Sequence, residues 1–548
     1  MSLTKRIDDL SSRRGVRNGW FGFITIFFLS FIILPTVYVL IYGLADFQNL
    51  SDAVLGEPEV MSMIWGAVFT SFSLALLVTI IDLVIGLPMA WIMVRKDFRG
   101  KRLLDTLIDM PLAFPTAALG FSIGIFWGLP VDAPVPPGAL GIVAEPYILI
   151  MLLHIIFTYP YMVRSLSAIL EQIDQSYEEA GMTLGASRLT AARTITLPLF
   201  RAGLITGFIL CFARSLSETG GTFIALITVG KADVFFTGPT LIAWLKQPDV
   251  GVADVEAVLA VVSIILIITA IVFLLIIKYV LGRVSVPFDK VWPRWERVLS
   301  RGTFPKAKDL LSFVFLFTIV IIPSFFIFAY LLVPAPGDMD WSGLVDALSY
   351  SFMVAGIVTA ADIVLGVPLA LYIARHRDKK LAQVVDSLVN VPLIVPTTAL
   401  GFSLALFWTT QDLVTNLTVL VIFAHIAFTY PLVVRNVAGA VMEVDPSYEE
   451  AARTLGAKPF GTFRTVLLPI IRASVLAGAI LAFTRSLGET GATVAVSAEA
   501  NTMPVYIVNL INSGDFYLAS IAAMVLIIVS FIFMLALRYL VRRDGGGY

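Results

Sequence analysis

Two short runs place ionisable side chains where the surrounding sequence is strongly apolar. Arg214-Ser-Leu-Ser-Glu218-Thr-Gly-Gly and Arg485-Ser-Leu-Gly-Glu489-Thr-Gly-Ala each set an arginine and a glutamate four residues apart. On a helix that spacing puts both on one face, where they can pair. Charges are costly in hydrocarbon and should face a cavity or a partner. Two chemistries fit: guanidinium groups lining the gate or transit site of a path across the bilayer, or an Arg–Glu stitch that holds a helix bundle together. Counting about 1.5 Å per residue from Pro198 or Pro469 puts the arginines roughly 24 Å from the inner interface. Asp82 and Asp362, at matching positions in Asp-(Leu/Ile)-Val-(Ile/Leu)-Gly, form a second intramembrane pair. They are read as partners for helix–helix hydrogen bonds or for an arginine.

Enzyme chemistry finds no footing. The three histidines, His154, His376 and His425, have no accompanying nucleophile or metal-ligand set, and His154 and His425 read as packing or helix–helix hydrogen-bonding residues. The single cysteine, Cys211, excludes an internal disulfide and a cysteine-based metal site. No G-x-x-x-x-G-K-S/T phosphate loop is present. No catalytic residue, no metal site, no cofactor bound by this chain and no nucleic-acid partner is therefore expected.

The elements that must position these residues are helices in a bilayer. Of 548 residues, 58% are hydrophobic and only 14% charged, against about a quarter charged in soluble domains. Apolar runs of about twenty residues, enough to cross the hydrocarbon core, recur throughout. We place spans at 20–44, 64–93, 107–128, 140–163, 198–227 and 255–281, then at 309–333, 346–374, 388–409, 412–435, 469–497 and 516–541. The first run is far longer than a signal-peptide core and is kept as a span. Lys5, Arg6, Arg13, Arg14 and Arg17 precede span one and Arg95, Lys96, Arg99, Lys101 and Arg102 follow span two, whereas Asp46, Asp52, Glu57 and Glu59, with no lysine or arginine, lie between those spans. The N-terminus is thus expected in the cytoplasm. The expected fold is an all-α polytopic membrane protein of about twelve transmembrane helices. They form two parallel six-helix repeats related by a pseudo-twofold axis along the membrane normal. The segments are 1–19, repeat 20–282, a basic cytoplasmic linker 283–308, repeat 309–541 and a tail 542–548.

The repeats are legible directly. SYEEAGMTLGA at Ser176 returns as SYEEAARTLGA at Ser447, and one offset of 271 in the numbering relates Ser176 to Ser447, Pro198 to Pro469 and Glu218 to Glu489. Pro115-Thr-Ala-Ala-Leu-Gly-Phe121 matches Pro396-Thr-Thr-Ala-Leu-Gly-Phe402 at an offset of 281. The ten-residue difference falls in an external loop, Leu129-Pro-Val-Asp-Ala-Pro-Val-Pro-Pro-Gly138, read either as a simple length difference or as part of a docking surface. Pro111, Pro115, Pro392 and Pro396 should break the ladder of the third spans.

The duplicated loops resemble the signature of the membrane permeases of ABC importers. The pattern Glu-Ala-Ala, three residues, Gly, nine residues, Ile, one residue, Leu-Pro is met by Glu179-Ala180-Gly181, Gly185, Ile195 and Leu197-Pro198. It is met again by Glu450-Ala451-Ala452, Gly456, Val466 and Leu468-Pro469. The copies depart only at Gly181 and at Val466. The resemblance implies a type I, binding-protein-dependent permease in the cell membrane. Each loop would carry a coupling helix, with Glu178, Glu179, Ala180 and Gly185 in one and Glu449, Glu450, Ala451 and Gly456 in the other. These would dock two cytoplasmic ABC ATPase subunits, which hold ATP and Mg, and an extracytoplasmic substrate-binding protein would deliver the cargo.

MPLAFPTAALGF, VPLIVPTTALGF, RSLSETGGT and RSLGETGATV further resemble the molybdate, tungstate and sulfate permease group, over roughly Gly66 to Tyr279 and Gly356 to Tyr539. That group usually pairs two separate chains, whereas fused permeases are more typical of thiamine, ferric-iron and phosphonate importers. An inorganic oxyanion is the expected substrate, with those other cargoes as the alternative. A proton- or sodium-driven carrier would share parallel repeats and buried carboxylates but would need no doubled docking loop. A membrane scaffold would explain the loops but not the repeated charges at membrane depth.

Overall fold

The computed structural model describes residues 3–131, 134–248, 250–283, 293–337 and 339–545. Part of the proline-rich loop, part of the basic linker including Lys290, and the last three residues of the tail lie outside them. Among the described residues, nine helices are long and apolar enough to cross a membrane: Arg14–Ala45, Pro58–Arg95, Pro146–Gln172, Val255–Ile277, Phe304–Leu332, Trp341–Arg375, Leu417–Glu443, Pro459–Leu487 and Phe516–Phe533. Three bent pairs, Lys101–Leu112 with Thr116–Phe126, Arg188–Leu199 with Gly203–Leu216, and Lys380–Ile394 with Thr397–Thr410, raise the total to twelve when each counts as one span. Phe69 is 74% exposed, Val84 65% and Ile26 64%, mid-helix, where only lipid makes such exposure tolerable.

Several expected spans need correction. The third spans are not straight rods: they turn through 99° and 109° at Pro115 and Pro396. Phe114 and Val395 precede those prolines with extended backbone, as the ring of a following proline requires. Only Thr116–Phe126 and Thr397–Thr410 run through the buried interior. The fourth spans start later than expected and continue to Gln172 and Glu443. The fifth spans begin inside the duplicated loops and stop at Leu216 and Leu487, well short of 227 and 497; new helices start at Gly220 and Gly491.

The two repeats are interlocked. Span one of each repeat packs on the third span of the other. In a regular helix the Val39 N–H would donate to the Pro35 carbonyl. Here Ser403 of the other repeat is inserted between them, accepting from Val39 N at 3.0 Å and donating to Pro35 O at 2.7 Å. Ser122 does the same to the second repeat's first span, accepting from Ile327 N at 2.9 Å and donating to Pro323 O at 2.6 Å. A hydroxyl thus repairs an opened helix ladder in hydrocarbon, where an unmade hydrogen bond is costly. The described ends of the first repeat's proline-rich loop are held against the bundle. Val131 N donates to Thr228 O at 3.1 Å, and the Gly138 turn lies beside Phe326.

Candidate functional site

Two regions gather the residues singled out by sequence. The first is the pseudo-twofold axis. In each repeat the fifth span ends two residues after its arginine, and the following glutamate caps the next helix. Glu218 Oε1 accepts the Gly221 N–H and Glu489 Oε1 the Ala492 N–H, both at 2.9 Å. A carboxylate at a helix start satisfies an orphan donor and suits the dipole. Arg214 pairs with Glu218 at 2.6 Å, and Arg485 pairs with Glu489. The carboxylates are 2–3% exposed, but the guanidinium side chains are 18% and 31% exposed, lying over the rings of Phe157 and Phe428. The Arg–Glu stitch is therefore made within each repeat, with its cationic end the more open.

The capped turns meet across the axis. A Cβ on Gly220 would lie 2.4 Å from Thr490 Oγ1, and one on Gly491 would lie 2.8 Å from Thr219 Oγ1. Gly221 and Ala492 are pressed as closely on the third spans. A Cβ on Gly120 would sit 2.0 Å from Gly221 O, and one on Gly401 2.6 Å from Ala492 O. Across the axis each glycine thus lies against a threonine side chain of the other repeat, while within each repeat the third span is pressed backbone to backbone on the helix that follows the fifth, an approach that glycine at 120 and 401 permits. Thr219 and Thr490 have buried hydroxyls without hydrogen-bond partners.

Behind this layer, His154 Nδ1 is 2.7 Å from Ser215 Oγ and its Nε2 is 2.9 Å from Thr222 Oγ1. His425 repeats the pattern with Ser486 at 2.8 Å and Thr493 at 2.9 Å. Thr158 and Thr429 hydroxyls lie 2.5 and 2.6 Å from Asp82 Oδ2 and Asp362 Oδ2, joining spans two and four. These histidines and aspartates hold helices together, as their sequence setting indicated.

The second region is the duplicated loop. Asp174 accepts the Ser176 N–H and Asp445 the Ser447 N–H, both at 2.8 Å, and these bonds hold the two carboxyls below their usual range. Helices Ser176–Thr183 and Ser447–Thr454 follow. Each is closed by a Schellman turn. Gly185 N donates to Met182 O and Ala186 N to Gly181 O, matched by Gly456 to Arg453 and Ala457 to Ala452. Gly185 and Gly456 have φ of +95° and +90°, which explains the fixed glycine.

The two glutamates of each loop separate. Glu178 turns inward: Arg95 Nε and Nη2 donate to its Oε1 at 3.2 and 3.1 Å, and Thr196 donates at 2.9 Å. Glu449 is held by Arg375 Nε at 2.8 Å. Glu178 and Glu449 thus fasten each loop to the end of span two instead of facing outward. Glu179, Ala180, Gly185, Glu450, Ala451 and Gly456 are exposed. So are four side chains that the sequence reading passed over: Leu184 at 90%, Leu455 at 89%, Tyr177 and Tyr448. Their signal was present, since each is a large apolar residue inside a polar island.

The two departures from the loop pattern are one compensated packing change. A Cβ on Gly181 would lie 2.6 Å from Ile195 Cδ1, so the longer isoleucine occupies the space of the missing methyl. The second copy has the methyl at Ala452 and the shorter Val466. We expect G181A alone to gain little, because the ~1 kcal/mol of helix propensity is offset by displacing Ile195. In the G181A/I195V double variant the two changes should couple favourably by about 1 kcal/mol. Thermal unfolding of the four detergent-solubilised proteins tests this, and strict additivity would refute the compensation.

The family described as binding-protein-dependent transport system inner membrane component matches this chain twice, over residues 82–286 and 366–544. The chain belongs to this family. The family thus matches once in each half, so this permease is a tandem duplication within one polypeptide and a multi-pass membrane protein. Among its relatives is the sulfate transport system permease protein CysT of Salmonella typhimurium, 37% identical over 192 residues, 33% of this chain and 65% of that protein. The molybdenum transport system permease protein ModB of Escherichia coli K12 is 34% identical over 178 residues, 31% of this chain and 72% of that protein. A probable sulfate transport system permease protein of Marchantia polymorpha is 31% identical over 257 residues, 44% and 86% respectively.

Proposed function

We propose that this permease forms the translocation path of an ATP-driven, binding-protein-dependent importer for a tetrahedral inorganic oxyanion of the sulfate or molybdate kind. Its two loops dock two cytoplasmic ABC ATPases, which hold ATP and Mg and carry out the phosphoryl chemistry. This places the N-terminus in the cytoplasm and residues 20–282 and 309–541 as the moving repeats. A substrate-binding protein docks outside.

One observation carries the reading: an almost fully exposed leucine, Leu184 or Leu455, stands at the tip of each of two rigidly held polar loops at equivalent positions of the two repeats. A fixed apolar knob at matched sites on two repeats suits two copies of one partner. The oxyanion assignment rests on the relatives and on the axis. Two partly exposed guanidinium groups and two unpartnered threonine hydroxyls offer donors to acceptor oxygens. Because each arginine is already paired, the path binds weakly enough to release its cargo.

Purification of the tagged chain from native membranes should recover two ATPase subunits per permease. Vesicles holding that complex should take up sulfate or molybdate only with ATP and binding protein. A chain that never retains an ATPase, even with nucleotide trapping, would overturn the importer reading. ATP-dependent uptake of thiamine, ferric iron or phosphonate, in place of sulfate or molybdate, would overturn the substrate.

A further inference from the structure

The segment ahead of each repeat's first span does not stay with its own repeat. Helix Pro293–Ser300, which leads into the second repeat, lies against the first repeat's loop just after the Schellman turn. Glu296 accepts from Thr190 Oγ1 at 2.5 Å and from Arg193 Nε at 2.8 Å, and Ser300 Oγ accepts the Leu189 N–H at 3.1 Å. Helix Leu3–Ser12, which leads into the first repeat, lies against the second repeat's loop. Asp8 Oδ1 accepts the Gly461 N–H at 2.6 Å, Ser11 Oγ accepts the Phe460 N–H at 3.2 Å, and Asp9 pairs with Lys458.

The contacts are equivalent, since the offset that relates the two loops also relates Leu189 to Phe460 and Thr190 to Gly461. The serine contacts match in kind, but the carboxylate contacts differ: Glu296 takes a hydroxyl and an arginine, whereas Asp8 takes a backbone N–H and Asp9 a lysine. Ser187 caps its own helix through the Thr190 N–H at 3.2 Å. Its counterpart is Lys458, which has no acceptor, and Asp8 takes that N–H instead. The crossing continues into the spans: Lys96, at the end of the first repeat's span two, pairs with Asp309, and the Phe21 ring packs tilted against Tyr372 and edge-on to His376 at the end of the second repeat's span two.

We propose that the two leading helices are crossed clamps, each tying one ATPase-coupling loop to the opposite repeat, with Glu296 and Ser300, and Asp8 and Ser11, as the positioning residues. This rests on the reading of the loops as coupling sites. Each loop is then held on two sides: by Arg95 or Arg375 from its own span two, and by the clamp from the other repeat. A displacement imposed on one loop drags both repeats, so the loops move together and ATP hydrolysis at one site is not dissipated in a local swing.

The test uses the complete permease–ATPase complex in vesicles and measures anion taken up per ATP hydrolysed. D8A/S11A and E296A/S300A should each keep both ATPases and their hydrolysis while lowering that ratio at least five-fold. Adding K458S to D8A/S11A supplies a local cap without restoring the tie. The ratio should stay low. Full recovery with K458S would reduce Asp8 to a helix cap and overturn the proposal, as would an unchanged ratio in either double variant, or release of the ATPases from both. A second measurement stands apart from mutant folding. T190C/E296C, bridged by a short bifunctional thiol reagent, should retain transport, because a clamp that moves with its loop tolerates being closed; abolished transport overturns the proposal. Cys211 is buried and should not compete for the reagent. A wild-type complex lacking ATPases would instead refute the coupling-loop reading beneath it.

Discussion

Replacing Leu184 and Leu455 together with aspartate is expected to strip both ATPase subunits from the purified permease and to lower ATP-dependent uptake about 100-fold or more. Each leucine is about nine-tenths exposed, so neither contributes to the core and the permease should stay folded. Docked against a partner, a leucine buries apolar area that stabilises the contact by about 1.5–3 kcal/mol. An aspartate there loses that term and adds a desolvated charge, a combined cost of about 3 kcal/mol or more per loop. At about 1.4 kcal/mol per decade of affinity this exceeds a hundred-fold. L184D alone should leave one ATPase per chain. The readouts are subunit ratio by native mass spectrometry and uptake in vesicles. An unaltered ratio in the double variant would show that the knobs are not the docking points.

The second large effect is expected at the axis. Substituting both members of each pair, R214Q/E218Q with R485Q/E489Q, should leave assembly and ATP hydrolysis intact while reducing oxyanion uptake at least ten-fold. Removing acid and base together avoids stranding a buried carboxylate, which would cost several kcal/mol and confuse function with folding. Glutamine at 218 and 489 can still accept the Gly221 and Ala492 N–H groups. Normal uptake by a fully assembled variant would reduce the four residues to a structural stitch. A simple loss of protein yield would be recognised by the subunit ratio before transport is measured. The close approach of Gly220 to Thr490 and of Gly491 to Thr219 sharpens the expectation, since the pairs flank the layer where the two repeats meet.

Particular residues show how much was legible beforehand. The Glu-Ala-Ala/Gly pattern predicted a helix and a glycine turn, and Gly185 and Gly456 occupy the left-handed position that ends a Schellman turn. Of the four prolines expected to break the ladder, Pro115 and Pro396 are where the third spans turn, Pro392 lies at the start of the short helix Val391–Ile394, and Pro111 sits inside the continuous helix Lys101–Ala113. The fifth spans end earlier than hydropathy indicates, because a run such as Gly220–Thr228 is apolar enough to read as a continuation. What stops the helix is the Glu218 carboxylate folding back on the Gly221 N–H, a choice that hydropathy does not record. Glu178 and Glu179 are adjacent and chemically alike. Arg95, far earlier in the chain, and Thr196, later in it, hold the first inward and leave the other exposed.

The sequence by itself determined the membrane class, the duplication, the loop signature and the approximate spans. All of these are written in local composition and in a constant offset along the chain. The tertiary structure alone decided that Ser403 and Ser122 repair each other's repeat, that Gly220 and Gly491 meet the threonines of the opposite repeat, and that Asp8 and Glu296 clamp loops distant in the chain. These pairings depend on which repeat a first span crosses. That choice is made by packing shape and by unsatisfied backbone groups in a medium without water, and no one-dimensional pattern encodes it.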